Sequence, residues 1–152
     1  MNKKKNLTTK ETFTLAVQNH QKNNLKLAEE LYKEILKINP KHFESIFSLG
    51  TILVQTHKFD MAKELFQKAT QMKPDNANAH YNLGNVLKEL GEREKSMQYF
   101  KKALEIKPNF VEAQANISNF YISKSCNTEK AINESYKTLR MHCDSTQFIN
   151  QK

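Results

Sequence analysis

Asparagine recurs in this chain at a fixed step. Asn82 and Asn116 stand 34 residues apart, and so do Asn85 and Asn119. A carboxamide donates and accepts at once, so such a set can pair with the backbone of an extended peptide whatever side chains that peptide carries. Residue types suited to catalysis are not spaced for it. His20, His42, His57, His80 and His142 form neither His-x-x-x-His nor His-Glu-x-x-His. Cys126 and Cys143 have no Cys or His at metal-ligand distance, and there is no phosphate-cradling glycine loop. Glu29-Glu30 and Glu92/Glu94 read as solvated helix faces rather than paired catalytic carboxylates. The chain is therefore expected to have no catalytic residues, no metal site and no cofactor.

The elements that must position those asparagines follow the same step. The three prolines, Pro40, Pro74 and Pro108, are 34 residues apart, as are Gly50 and Gly84. The triplets Leu15/Leu49/Leu83, Tyr32/Phe66/Phe100 and Ile35/Ala69/Ala103 keep the same interval. A constant period of this length marks one supersecondary unit stacked on copies of itself. The expected division is a basic flexible tail over 1–8, units over 9–42, 43–76, 77–110 and 111–144, and a polar tail over 145–152.

Each unit reads as two helices. In the first, Ala28, Leu31, Tyr32 and Ile35 lie at helical spacing, and Asn23-Asn24 marks the turn. Thr8 with Glu11 has the form of a capping box. Asn19 replaces the leucine of later units, which suits a terminal unit with one side open to water. In the second, Ile46, Leu49, Gly50 and Leu53 belong to helix A, and Ala62, Leu65, Phe66 and Ala69 to helix B. His57 lies between them, and Pro74 ends the second helix because proline lacks an amide donor. Gly50 and Ala62 are small where two helices must approach. The third unit repeats this with Leu83, Gly84, Leu87, Ser96, Phe100 and Ala103, and Gly91 at its turn. Asp75 and Asn109 are the expected N-caps of the third and fourth units, with Glu112 completing a box. The fourth unit is degenerate. It needs one extra residue in a turn over Ser123–Asn127 to align Ala131, and Ser135 stands where the others carry an aromatic ring.

Two cysteines late in a 152-residue chain suit a reduced compartment. No apolar run follows the basic start, and no stretch approaches membrane-spanning length, so a cytoplasmic protein is expected. The net charge of +8 is concentrated at the front. Residues 1–42 carry nine lysines against four acids, whereas residues 43–76 balance at four and four. That is a charged tail and first unit rather than a continuous basic stripe.

The pattern Leu49/Gly50/Ala62/Phe66/Ala69/Pro74, repeated as Leu83/Gly84/Phe100/Ala103/Pro108 with Ser96 for alanine, resembles the tetratricopeptide repeat family. The large aromatic that this family often carries early in helix A is replaced by Thr12, Ile46, His80 and Gln114. The resemblance covers about residues 9 to 140 and is strongest in the middle units. It implies an all-α fold, a right-handed α-solenoid of about four antiparallel helix pairs whose A helices line a concave groove.

On that fold the groove would present Phe47, Ser48 and Thr51 from the second unit, and Tyr81, Asn82, Asn85 and Glu89 from the third. The fourth adds Asn116 and Asn119. The wording NLGNVLKELGE also resembles the repeats that precede the catalytic domain of O-linked N-acetylglucosamine transferases, where an asparagine ladder holds substrate peptides. Asn82 and Asn116 match that ladder; Ser48 and Thr14 depart from it. A second subgroup clamps the C-terminal carboxylates of chaperones, but its cations would stand where Phe47, Tyr81 and Asn116 are, and Lys10 and Lys88 are not placed to replace them. Nucleic acid needs a basic groove, and here Lys10 is set against Glu44, Glu89 and Glu112.

The function expected is a non-catalytic protein-interaction module taking an extended or short helical peptide in its groove, with no nucleic-acid or membrane partner. The alternative is the substrate-recruiting arm of a glycosyltransferase- or sulfotransferase-type system whose catalytic part lies elsewhere, which the irregular fourth unit and polar end suit. Weak self-association through Ile132 and Leu139 of the last unit is the remaining expectation.

Overall fold

The structure is a computed structural model, and it describes residues 7–126 together with 128 and 129. Six helices alternate in length: α1 (Thr9–Gln21), α2 (Leu25–Ile38), α3 (Phe43–Gln55), α4 (Phe59–Met72), α5 (Ala77–Glu89) and α6 (Arg93–Ile106). A seventh, α7, occupies residues 111–126. No strand occurs among the described residues. Each helix packs on the next in sequence, which builds a right-handed α-solenoid of stacked helix pairs.

The period shows in the ends of the helices as well as in their cores. Residues at the end of each A helix turn through the left-handed region at Asn23 (φ 61°), His57 (φ 56°) and Gly91 (φ 79°), again 34 residues apart. Glycine takes that conformation freely, and Asn and His are among the side chains that tolerate it best. The B helices stop at Ile38, Met72 and Ile106, each two residues before a proline. N-caps fall at Thr8, His42 and Asn76. Thr8 and Glu11 close the expected box, with Thr8 N–H donating to Glu11 Oε2 at 2.8 Å. His42 caps through Nδ1, which accepts from the Ser45 amide at 3.2 Å.

Two expected caps are one residue out. Asn76, not Asp75, caps α5, its Oδ1 accepting from the Ala79 amide at 2.9 Å. Because α7 starts at residue 111, Phe110 rather than Asn109 occupies its cap position. Phe110 has no side-chain acceptor; it is buried instead, against Ala103, Ala113 and Tyr81.

The core runs along the seam between the helix rows. Ile46, Leu53, Phe66, Leu83, Val86 and Phe100 are almost completely buried. Gly50 and Gly84 are required by the Phe66 and Phe100 rings: a Cβ on Gly50 would lie 2.9 Å from Phe66 Cζ, and one on Gly84 2.7 Å from Phe100 Cε1. Leu15 departs from its triplet. It is 37% exposed, while Leu49 and Leu83 are buried.

The fourth unit does not turn where it was expected to. Residues 123–126 remain helical, and Thr128 Oγ1 donates to the Lys124 carbonyl at 2.8 Å, the contact of one further helical turn. The position one step after Asn23, His57 and Gly91 is Ser125, a residue without their tolerance for positive φ. A B helix for this unit, together with Ser135, Ile132 and Leu139, lies outside the described residues.

Candidate peptide-binding groove

The A helices α1, α3, α5 and α7 carry the candidate site on successive copies of one helix face. Phe13, Phe47 and Tyr81 repeat at the unit step and are half-buried. Each leans on the ring of its own B helix: Phe13 on Tyr32 at 5.8 Å between centroids, Phe47 on Phe66 at 5.6 Å, and Tyr81 on Phe100 at 5.7 Å. Tyr81 also meets Phe110 at 4.8 Å, and Phe47 meets Phe43 at 6.0 Å. These rings therefore join neighbouring helices. The matching residue in α7 is Ala115, so the row of rings stops there.

Ser48, Thr51, Asn82 and Asn85 are half-buried, and Glu89 and Asn119 are exposed. Thr51 Oγ1 donates to the Phe47 carbonyl at 3.1 Å. Burial pushes the buried Tyr32 phenol up, and a hydrogen bond from Ser48 opposes that shift. The Thr51 hydroxyl is thus engaged within the fold. Asn116 is engaged too. Its Nδ2 donates to the Glu112 carbonyl at 3.0 Å, and its Oδ1 accepts from Lys88 Nζ at 3.0 Å.

That last contact corrects the expected placement of Lys88, which reaches the α7 face of the groove. Lys88 also lines a cavity of about 620 Å³ between α6 and α7, with Asn116 and Asn119. Met97, Phe100 and Phe120 give the cavity an apolar floor, and Arg93, Glu94 and Lys124 stand around it. Sequence reasoning set Lys88 at the edge of the groove and did not pick out Arg93, Met97 and Phe120, which line this cavity. A spacing of 28 or 29 was the available signal, because it recurs in several polar contacts between one unit and the next. Lys58 meets Glu29 at 3.2 Å, Lys63 meets Glu92 at 2.6 Å, and Lys73 meets Glu44 at 3.4 Å. The Glu29–Lys58 and Lys63–Glu92 pairs occupy the same slot in successive units with the signs exchanged. Lys63, then Lys95, holds the Glu92 carboxyl down at about 2. One unit on, the slot contains Met97 and Cys126, which form no ion pair.

His80 is buried, its Nε2 lies 2.9 Å from the Pro74 carbonyl, and its ring stacks on Tyr99. Among the described residues there is no cluster of three or more metal-ligating side chains, and no helix is long and apolar enough to cross a membrane.

Three family models for this repeat match the chain. Models described as tetratricopeptide repeat match residues 77–110 and 13–42, and one described as TPR repeat matches residues 50–91. The chain belongs to the tetratricopeptide repeat family. Among solved structures, this tetratricopeptide repeat protein is similar to MamA, with a TM-score of 0.74 and 24% identity over 78% of this chain and 69% of that one. A MamA from Desulfovibrio magneticus RS-1 gives a TM-score of 0.74 at 18% identity, over 78% and 67% of the two chains. These likenesses show the fold. An O-GlcNAc transferase from Thermobaculum terrenum matches with a TM-score of 0.68 and 26% identity over 77% of this chain but 22% of its own. The protein thus spans about a fifth of that enzyme. No curated protein sequence matches the chain significantly. Helix pairs of this family stacked in this way form a protein-interaction scaffold.

Proposed function

We propose that this tetratricopeptide repeat protein is a non-catalytic module that holds an extended or short helical segment of another protein in its concave groove. The exposed edges of Phe47 and Tyr81 supply apolar contact. Asn82, Asn85, Asn116 and Asn119 supply amide hydrogen bonds to the ligand backbone, with Ser48, Thr51 and Glu89 along the same face. The observation that supports this reading is the half-buried Asn82/Asn85 pair on α5, repeated at the unit step as Asn116/Asn119 on α7. Asn82→Ala with Asn116→Ala should weaken peptide capture and leave the helical content unchanged. Equal affinity in the double variant would remove the ladder from the account.

A second reading is supported by the match to the Thermobaculum enzyme, whose length exceeds the matched region several-fold. In that reading the same groove recruits substrate for a glycosyltransferase- or sulfotransferase-type catalytic part. The coding sequence around this chain decides between them: a transferase in the same frame favours recruitment, and its absence favours a free adaptor.

A further inference from the structure

We infer that the α6–α7 cavity makes the groove selective, taking a partner segment in which a bulky apolar side chain is flanked by acidic ones. This rests on the groove reading above and names the class of ligand for its C-terminal end. Where α1, α3 and α5 each end after 13 residues, α7 continues past the position of Ser125. In α5 the residue matching Phe120 is Val86, completely buried by the neighbouring helices. Phe120 is only half-buried and faces the 620 Å³ cavity with Met97. That volume is enough for a leucine or phenylalanine side chain and its adjoining backbone.

The rim supplies the charge preference. Among the described residues, Lys88, Arg93 and Lys124 border the cavity against one acid, Glu94. All three cations are exposed. Lys88 is held at the mouth by its bond to Asn116 Oδ1 and so is aimed before a ligand arrives. An acidic segment would gain charge-assisted hydrogen bonds from these groups, and its apolar residue would bury against Met97, Phe100 and Phe120. A basic segment would meet like charge at the same rim.

The test uses the full chain and three fluorescein-labelled, end-blocked peptides: SDDFDDS, its lysine twin SKKFKKS, and SDDADDS without the apolar residue. Fluorescence anisotropy should show SDDFDDS binding at least tenfold tighter than either twin, and weakening as salt rises from 50 to 300 mM. Lys88→Glu with Arg93→Glu should reverse the order of the acidic and basic peptides at unchanged helical circular dichroism. Arg93→Glu alone, on an exposed side chain, should give an intermediate loss and guards against a folding artefact. Equal affinity for the three peptides, lowered alike by Asn82→Ala with Asn85→Ala, would overturn the selectivity and leave the groove standing. Acidic-peptide binding that survives those asparagine changes but not the charge reversal would support the cavity and remove the ladder. No binding of any peptide would overturn both. Dimerisation in sedimentation equilibrium that the charge reversal abolishes, without peptide binding, would give the cavity to a second copy and overturn the inference.

Discussion

Replacing Gly84 by alanine tests the packing on which the groove depends. The new methyl carbon would sit 2.7 Å from Phe100 Cε1 and 2.8 Å from Cδ1, with Cζ at 3.2 Å. Ordinary contact between carbons begins near ~3.5 Å, so the ring must retreat by several tenths of an ångström. Phe100 is 2% exposed and already touches Tyr81 at 5.7 Å between centroids, so it cannot move without displacing the Tyr81 ring. Overpacking of this kind costs ~1–3 kcal/mol, while Gly→Ala inside a helix returns about 1 kcal/mol. The overlap is one-sided and close, so the net expected is a destabilisation of ~1–2 kcal/mol. At Gly50 the nearest approach is 2.9 Å, and the loss should be smaller. Urea unfolding followed by circular dichroism at 222 nm reads both. Combining Gly84→Ala with Phe100→Leu supplies the check, because a smaller side chain makes room for the methyl group and the pair should lose less than the sum of the two singles. If Gly84→Ala were as stable as the parent or more so, and additive with Phe100→Leu, the close approach of α5 and α6 would be refuted.

Other outcomes follow from the caps, the ion pairs and the long seventh helix. Asn76→Ala should cost ~1 kcal/mol, since the Ala79 amide loses its acceptor, whereas Asp75→Ala should change stability by less than ~0.5 kcal/mol in the same urea titration. The Glu92 carboxyl is depressed from 4.5 to about 2 by Lys63 and Lys95. A depressed folded value gives stability that is present above the unfolded pKa, so it should fade as pH drops from about 4.5 toward 2; Glu92→Gln should flatten part of that loss in a series of thermal melts. Ser125→Gly should favour a turn at that position and lower the helical Cα chemical shifts of residues 123–126, an effect that Ser125→Ala should not reproduce.

Much of this fold was legible because its rule is local and repeated. The prolines that stop α2, α4 and α6, the Thr8–Glu11 box and the small residues facing Phe66 and Phe100 each carry their meaning in one residue type at one phase. Caps were less legible: Asp75 and Asn76 are adjacent and both competent, and only the exact helix start decides which side chain reaches the Ala79 amide. Ser125 misled for another reason. Aligning Ala131 implied a turn over Ser123–Asn127, but the left-handed conformation of the earlier turns suits Asn, His or Gly, and at the matching position the chain offers serine. The repeat of the asparagines is visible in the period, whereas the Lys88–Asn116 contact joins helices of different units. Its 28-residue separation acquires meaning once the Glu29–Lys58 and Lys63–Glu92 contacts are seen in space. The charged end of the groove was overlooked for that reason, although every residue in it was in view.

The most direct test of the central claim is a nitrogen-15 NMR titration of the full chain with SDDFDDS. The account requires the largest shifts at the side-chain amides of Asn82, Asn85, Asn116 and Asn119 and at the backbone of Lys88, with the outward faces of α2 and α4 unchanged. Shifts confined to α2 and α4, or none in the groove at a saturating peptide concentration, would contradict it.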